Sequence, residues 1–348
     1  MIDRLMPSLG ITALAIALVV VLLAPLPAAG QAPKAAASPA AKPAAKTWTV
    51  PKTPDGKPDL QGYWTNNTYT PLERPQGVTK EFYTKEEAEQ AAKTRAEREA
   101  EQTEPGTVAD VHYDFTQFGL DRSQTRLVSN LRTSMITEPA NGKIPPVNSE
   151  GQKRANERAA LRKQQGAQYD QVQNISMGSR CVFSNPGPPM LPPGYNPAYQ
   201  ILQGVGYVTI VIENQHEIRV IPTDGRPHAP QNVRSFLGDS RGHWEGDTLV
   251  VETTNFNDKV AFRGASENMK VIERFTRLSD DEIKYEFTVH DPSTWEVPWK
   301  AEMPFVKIDG PIFEHACHEG NHGIANTLAG VRLEEKQAAE AAAKKGVK

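Results

Sequence analysis

The clearest fold signal in this sequence is the stretch EIKYEFTV at residues 282–289. Its odd-numbered residues are apolar and its even-numbered residues are polar, which is the period-two pattern of a β-strand with one buried face. The stretch WKAEMPF at 299–305 has apolar residues at every second position as well. The polar triplet SDD at 279–281 predicts a tight turn before the first of these two strands.

Further strands are expected before this pair, at 60–65, 207–212, 217–221, 248–254 and 270–278. Strands at short intervals, joined by polar turns, predict an antiparallel meander. We therefore expect a mainly β fold, a lipocalin-like barrel or a strongly curved sheet. Two polar segments, 79–104 and 150–166, predict helices, with Thr84 and Glu87 as a capping box in the first and Asn148 or Ser149 as the cap of the second. Neither segment has a wide apolar stripe, so both helices are expected at the surface.

The first 47 residues are expected to lie outside this fold. An apolar run at 11–24, two prolines and the small residues Ala28-Ala29-Gly30 form the pattern of a signal peptide over residues 1–30. The run is too short for a membrane span. Residues 31–47 read as an Ala/Pro/Lys linker, 48–332 as one β-rich domain and 333–348 as a charged tail. We expect a periplasmic or secreted protein with no stable membrane span after cleavage.

Charge and cysteine content exclude several classes of protein. The 348 residues contain 39 Lys and Arg against 42 Asp and Glu, which excludes a strongly basic nucleic-acid-binding surface. The only cysteines are Cys181 and Cys317, too few for a four-thiolate zinc site. In an oxidising compartment the two are expected to form a disulfide, the alternative being two buried thiols.

Seven of the eight histidines follow residue 215, and the first group of them surrounds two predicted turns. His216 and Arg219 flank one turn, and Asp224, Arg226 and His228 form the next. This pattern indicates a polar or His–carboxylate site at a barrel mouth, or ordinary turn chemistry. Alternate turns of a meander lie at the same end of the sheet, so His216 and His228 are expected at opposite ends unless the second loop folds back.

A second group is the stretch GDSRGHWEGD at 238–247. Its glycines indicate tight turns, and Trp244 is either an apolar plug or a ring on which a ligand stacks. His243, Glu245 and Asp247 are candidates for acid–base chemistry, together with His228 and Asp224. A structural turn is the alternative interpretation of this stretch.

A third group, His315, His318 and His322, contains the sequence HEGNH, a formal match to the zinc-peptidase pattern HExxH. That chemistry needs both histidines on one face of a helix, and Gly320 and Asn321 are weak helix formers. A non-catalytic metal site on these histidines is a second possibility, and a polar loop pinned by Cys317 is a third. The sequence identifies no cofactor.

Residues 177–332 resemble an uncharacterised family of exported bacterial proteins that occur as many paralogues in one genome. The motifs that carry the resemblance include TDGRPH (223–228), GDSRGHWEGDTLVVET (238–253) and ACHEGN (316–321). The resemblance implies export but transfers no catalytic residue, since no activity is established for that family.

Three functions follow as hypotheses. The first is a cell-envelope protein that binds a small molecule or glycan in a barrel pocket lined by His216, Arg219, Arg226 and Trp244. The second is a hydrolase, lyase or isomerase that uses a His–carboxylate pair, with Arg226 holding an anionic group of the substrate. The third is a structural protein without a small ligand.

Overall fold

A computed structural model describes residues 48–100, 130–166, 169–193, 196–259 and 262–346. The predicted signal peptide and linker lie outside the described residues. Ten strands and three α-helices make up the described part: β1 Gly62–Thr65, β2 Ile136–Glu138, β3 Ala198–Gly204, β4 Tyr207–Ile212, β5 Ile218–Pro222, β6 Asp239–Glu245, β7 Thr248–Thr254, β8 Lys270–Arg277, β9 Glu282–His290, β10 Trp299–Lys307, α1 Lys85–Ala100, α2 Ser149–Gln164 and α3 Gly323–Gly346.

Nine of the strands form one antiparallel path in the order β5-β4-β3-β1-β10-β9-β8-β7-β6, and β2 pairs with β10 off this path. The chain is therefore a mainly β, nearly closed antiparallel barrel, as the alternating stretches predicted. Because nine strands alternate in direction, the two end strands, β5 and β6, run the same way. The connection at 223–238 must consequently run back along the barrel before β6 begins.

The two end strands, β5 and β6, face each other across a seam. Within the described residues, no backbone ladder joins them across it. Side chains close it instead. Arg219 of β5 donates from Nη2 to Ser240 Oγ of β6 over 3.4 Å. Gly242 of β6 lies so close to β5 that an added Cβ would be 3.0 Å from methyl groups of both Ile221 and Thr223. The seam thus requires a residue without a side chain at 242.

Aromatic side chains fill the interior of the barrel. Tyr285 of β9 lies at the centre, with ring centroids 5.0 Å from Phe275, 5.7 Å from Phe287 and 5.2 Å from Phe305. Trp299 packs edge-on against Phe287. The predicted alternation of β9 is confirmed, since Ile283, Tyr285, Phe287 and Val289 are all buried. Open space for a ligand must therefore be sought at an end of the barrel.

The sequence predicted the N-terminal caps of helices α1 and α2, but it did not predict strand β6. Thr84 and Glu87 form the predicted capping box of α1, with Thr84 N donating to Glu87 Oε2 over 2.8 Å. Asn148 caps α2 by accepting from Gly151 N. The prediction of tight turns at 238–247 holds at the two ends of the stretch, where Gly238 and Gly246 have positive φ angles and residues 246–247 turn the chain into β7, but residues 239–245 between them form β6. Its inward residues, Ser240 and Gly242, are small, so the stretch lacks the apolar alternation of a strand.

The C-terminal region differs from the prediction in length. The structure has one helix, α3, over the 24 residues Gly323–Gly346, where the sequence predicted a charged tail from residue 333. The predicted disulfide between Cys181 and Cys317 is confirmed and ties the segment before α3 to the body of the protein. Among the described residues, no helix has the length and apolar character to cross a membrane.

The seam can be tested by filling it. Gly242→Val is expected to cost about 1–3 kcal/mol because its side chain would overlap Ile221 and Thr223. Gly330→Ala in α3 is the control, since nothing lies within 4 Å of its Cβ position, and it is expected to be neutral or stabilising by roughly 0.5–1 kcal/mol. Urea unfolding measures both, and an unchanged midpoint for Gly242→Val would contradict the close approach of β5 and β6.

Candidate functional site

We define the mouth of the barrel as the end at which β3, β5, β6, β8 and β10 begin. The register places Thr65 opposite Ala198, Val211 opposite Ile218, and Val289 opposite Trp299 at this end. The loop at 213–217 and the connections at 255–269 and 291–298 all lie here. The proline-rich segment 184–193 also lies here, because Asn66, next to the end of β1, contacts it.

A ring of buried polar side chains lies just inside the mouth. It consists of Asn66, Tyr199, Arg219, Glu273 and Tyr285, and we name it the polar ring. Arg219 and Glu273 form a bidentate ion pair at 3.0 and 2.5 Å, with at most 1 % of either side chain exposed. The Tyr285 hydroxyl donates to Glu273 over 2.8 Å.

Electrostatics fix the protonation states around this ion pair. Burial acts to lower the pKa of Arg219, but the charge and hydrogen bonds of Glu273 more than offset it, so the pKa is raised. Burial and the neighbouring Glu273 both raise the pKa of the Tyr285 hydroxyl. Arg219 therefore stays charged and Tyr285 stays protonated at neutral pH, and the two opposite charges of the ion pair cancel.

Met190 of the proline-rich segment plugs the polar ring from outside. It is fully buried, its backbone N–H donates to the Tyr285 hydroxyl over 2.9 Å, and its carbonyl accepts from Asn66 Nδ2 over 2.9 Å. Gly187 makes this fold of the segment possible. It has a φ of +127°, and a Cβ there would lie 2.7 Å from Met190 Cγ.

Three atoms of the polar ring are buried and make no hydrogen bond within the described part of the chain: Asn66 Oδ1, Tyr199 Oη and Arg219 Nε. Burial raises the pKa of Tyr199. The Asn66 side chain, which lies within reach of the hydroxyl without forming a well-aligned hydrogen bond, and the charge of Arg219 offset only part of the rise. Each unsatisfied buried group costs about 1–3 kcal/mol. The polar ring therefore has hydrogen-bonding capacity that the surrounding side chains do not use.

A cavity of about 340 Å³ lies at the mouth directly outside Met190. Pro189 and Leu191, the residues on either side of Met190, line it, and so does Phe262, whose ring stacks at 6.2 Å on Trp299. Its lining combines apolar rings with hydroxyl, amide and guanidinium groups: Ser184, Asn185, Pro189, Leu191, Pro192, Pro193, Asn214, Phe262 and Arg263.

The wall of this cavity is held by buried hydrogen bonds. Asp291, after β9, accepts from the backbone and the hydroxyl of Ser266 and from the Thr294 hydroxyl, at 2.6–2.9 Å. These bonds join the connection 255–269, which carries Phe262, to the connection 291–298. On the opposite wall, the Ser184 hydroxyl is hydrogen-bonded to Asn214. The cavity is thus formed by packed loops.

Of the predicted ligand-binding residues, only Arg219 belongs to the polar ring. His216 lies at the mouth in the 213–217 loop, and Arg226 lies in an exposed turn, paired with Asp224 at 2.5 Å. Trp244 lines a second, smaller cavity of about 160 Å³ at the other end of the barrel. The structure therefore does not bring the four residues into one site.

The predicted catalytic residues are similarly dispersed. Arg226 lowers the pKa of exposed Asp224 to about 2, which keeps this carboxylate ionised. On the outer face of β6, His243 contacts Glu245 at 3.1 Å, and Asp247 beyond it pairs with Lys52 at 2.5 Å. None of these contacts joins Asp224, Glu245 or Asp247 to His228.

His228 has a carboxylate partner that the sequence did not single out. Its Nδ1 lies 2.7 Å from Asp239 Oδ2, and its Nε2 lies 3.5 Å from Glu252 Oε1. Burial acts to raise the pKa of Asp239, but the Ala229 amide, His228 and Arg241 more than offset it, and the pKa is lowered. The second loop does fold back, since His228 meets Asp239 at the mouth end of β6.

The HEGNH stretch is not helical. His318 and His322 lie in the turns before α3, so the two side chains lack the shared helix face that the zinc-peptidase pattern requires. In the described residues no group of three or more His, Cys, Asp or Glu side chains is arranged to hold a metal ion.

His315 instead forms a reciprocal clasp with the 213–217 loop. Gln215 N donates to His315 Nδ1 over 2.9 Å, and His315 N donates to His216 Nε2 over 2.8 Å. Both imidazole nitrogens must be unprotonated to accept these bonds. Burial and the neighbouring His216 lower the pKa of His315, and the opposing effect of Glu213 is smaller. The clasp holds the C-terminal segment against the loop that carries Asn214.

Breaking the buried ion pair tests its role in the polar ring. Arg219→Met or Glu273→Leu alone is expected to cost about 3–5 kcal/mol because a buried charge loses its partner, and the double variant is expected to cost less than either. Urea unfolding measures all three. The exposed pair Lys300–Glu138, at 2.9 Å, is the control, and Lys300→Met should cost at most about 1 kcal/mol. Single variants as mild as this control would contradict the assigned role.

The clasp makes stability depend on pH. The pKa of His315 is lowered in the folded state, so the unfolded chain binds the extra proton first as the pH falls. The contribution of the clasp is present above the unfolded pKa of about 6.5 and is lost as the pH falls through the folded pKa. Wild type should lose more unfolding free energy between pH 7.5 and 5 than His315→Gln, whose amide is neutral throughout. Equal losses would contradict this.

Comparisons with protein-family models, with curated proteins and with solved structures gave no match to this chain. The family resemblance of its motifs therefore stays a prediction.

Proposed function

We propose that this protein binds a small molecule at the mouth of its barrel. The observation that carries the proposal is the cavity of about 340 Å³ whose lining includes Pro189 and Leu191. Met190 between these two residues contacts a buried polar ring with unused hydrogen-bonding atoms. Ligand sites in proteins typically occupy about 300–1,000 Å³ and combine an apolar lining with a few convergent polar groups. This cavity has both properties, which favours binding over a purely structural role.

The lining suits a compact polar molecule such as a short glycan. The rings of Pro189, Pro192 and Phe262 offer flat apolar surfaces for the C–H faces of a sugar. The amide of Asn185 offers a donor and an acceptor for hydroxyl groups. The predicted signal peptide and the Cys181–Cys317 disulfide agree with binding outside the cytoplasm.

The geometry supports binding more than acid–base catalysis. His228 and Asp239 are close enough for proton transfer, but they lie on the outer face of β6. Neither of the two cavities described above is lined by either residue. In this arrangement the pair joins the returning loop 223–238 to β6, which is a structural task.

Filling the cavity tests the proposal. Leu191→Trp places an indole in the mouth, and Val205→Trp is the control, at a site that is 84 % exposed and borders the second cavity at the other end of the barrel. Thermal unfolding is followed with glucose, N-acetylglucosamine, glucuronate and N-acetylated amino acid amides. A ligand at 100 times its Kd stabilises by about 2.7 kcal/mol, or roughly 5–10 °C.

At least one compound should raise the Tm of wild type and of Val205→Trp but not that of Leu191→Trp. A panel without any shift, or a shift that persists in Leu191→Trp, would overturn the proposal.

A further inference from the structure

We infer that Met190 occupies the ligand's place in the polar ring while no ligand is bound. The ligand that displaces it contains an uncharged, N-acylated amino acid residue. This inference rests on the proposed function, because the mouth cavity is the route by which the ligand reaches the polar ring. It goes further by naming the group that enters the ring.

The contacts of Met190 are those of a bound peptide. Its N–H and its C=O are both held by side chains of the polar ring, Tyr285 and Asn66, each over 2.9 Å. The donor and the acceptor belong to the same residue and are separated by its Cα atom. A ligand that reproduces both bonds therefore needs an N-acyl aminoacyl unit, with an unbranched apolar side chain in the space of the thioether.

Charge selects an uncharged unit. Arg219 and Glu273 neutralise each other in a bidentate pair, and the raised pKa of Tyr285 keeps its hydroxyl protonated. A free carboxylate in the place of the Met190 carbonyl would be buried beside Asn66, and the one cation of the ring, Arg219, is already paired with Glu273. The ring therefore favours an amide over an acid.

Unused atoms of the ring offer more to a ligand than Met190 takes. Tyr199 Oη, Arg219 Nε and Asn66 Oδ1 are buried and make no hydrogen bond to any described residue. A ligand with one further polar atom can reach partners that the Met190 backbone does not use. This capacity gives an external molecule an advantage over the resident residue.

The segment that carries Met190 is suited to withdrawal. Five of the eight residues 186–193 are prolines, which have no backbone N–H to anchor them. Pro189 and Leu191 already line the open cavity, and Met190 between them contacts the ring, so this segment links the cavity to the ring. Gly187 supports the plugged form, because any larger residue would collide with Met190.

The test uses N-acetyl-L-methionine methylamide as the probe and measures its Kd by calorimetry on the whole mature protein. Gly187→Ala should destabilise the plugged form and lower the Kd of the probe at least roughly tenfold, because Met190 then occupies the polar ring in only a fraction of the molecules. Gly225→Ala is the matched control, because its φ of +82° is also positive but nothing lies within 4 Å of its Cβ position. Its Kd should equal that of wild type.

Tyr199→Phe separates a ligand contact from a structural one. Removal of an unsatisfied hydroxyl should leave the Tm of the free protein unchanged or higher, yet weaken the probe roughly fivefold. A lower Tm with an unchanged Kd would show that the hydroxyl is satisfied internally and would overturn the inference. Circular dichroism confirms that each variant is folded. As a test of the preference for an uncharged unit, free N-acetylmethionine should bind wild type more weakly than the methylamide probe does.

The failure of this inference differs from the failure of the proposed function. If a compound from the panel binds wild type and is lost in Leu191→Trp, but the probe has the same Kd in wild type, Gly187→Ala and Tyr199→Phe, only the inference about Met190 falls. If neither the panel nor the probe binds, both fall.

Discussion

The structure depends on an ion pair that spans the seam of a nine-stranded barrel. An odd number of alternating strands leaves its two end strands, β5 and β6, running in the same direction, outside the antiparallel ladder. Arg219 reaches from β5 to Glu273 on β8 and contacts Ser240 and Thr253 on the strands between. One buried guanidinium thus ties four strands together where backbone hydrogen bonds join only neighbours.

The same arginine links closure of the barrel to the binding site. Its partner Glu273 accepts from Tyr285, and Tyr285 in turn accepts from Met190, whose neighbours Pro189 and Leu191 line the mouth cavity. A buried ion pair is weak evidence of stability by itself, because desolvation of the two charges opposes their attraction. In this barrel the ion pair also orients the Tyr285 hydroxyl towards the mouth, and it leaves Arg219 Nε without a hydrogen-bond partner. Each unsatisfied polar atom in the core lowers stability by about 1–3 kcal/mol, and a ligand that forms a hydrogen bond with it would recover this free energy.

Much of the fold could be predicted because its signals are local. The alternation at 282–289, the Thr84–Glu87 capping box and the pairing of the only two cysteines each depend on short patterns or simple arithmetic. Strand β6 could not be predicted in this way, since the seam demands Ser240 and Gly242 where other strands carry large apolar residues.

The site escaped sequence reasoning for a different reason. The sequence pattern predicted a site among the histidines and acidic residues of the loops, yet most of these residues pair locally on the outer surface. The polar ring is assembled from residues 66, 199, 219, 273 and 285, and four of them lie on strands where they read as core positions. The prolines of segment 184–193 indicate a rigid loop, but its role as a plug depends on where Gly187 turns it.

The central claim is that the polar ring at the mouth is the binding site and Met190 its resident. Methyl NMR of protein with ¹³C-labelled methionine methyl groups tests it most directly, with Met303, buried on β10, as the internal reference. On addition of a compound that binds at the mouth, the Met190 methyl signal should move to the position of a solvent-exposed methionine while that of Met303 stays near its original position. A Met190 signal that is unchanged at saturation would contradict the claim.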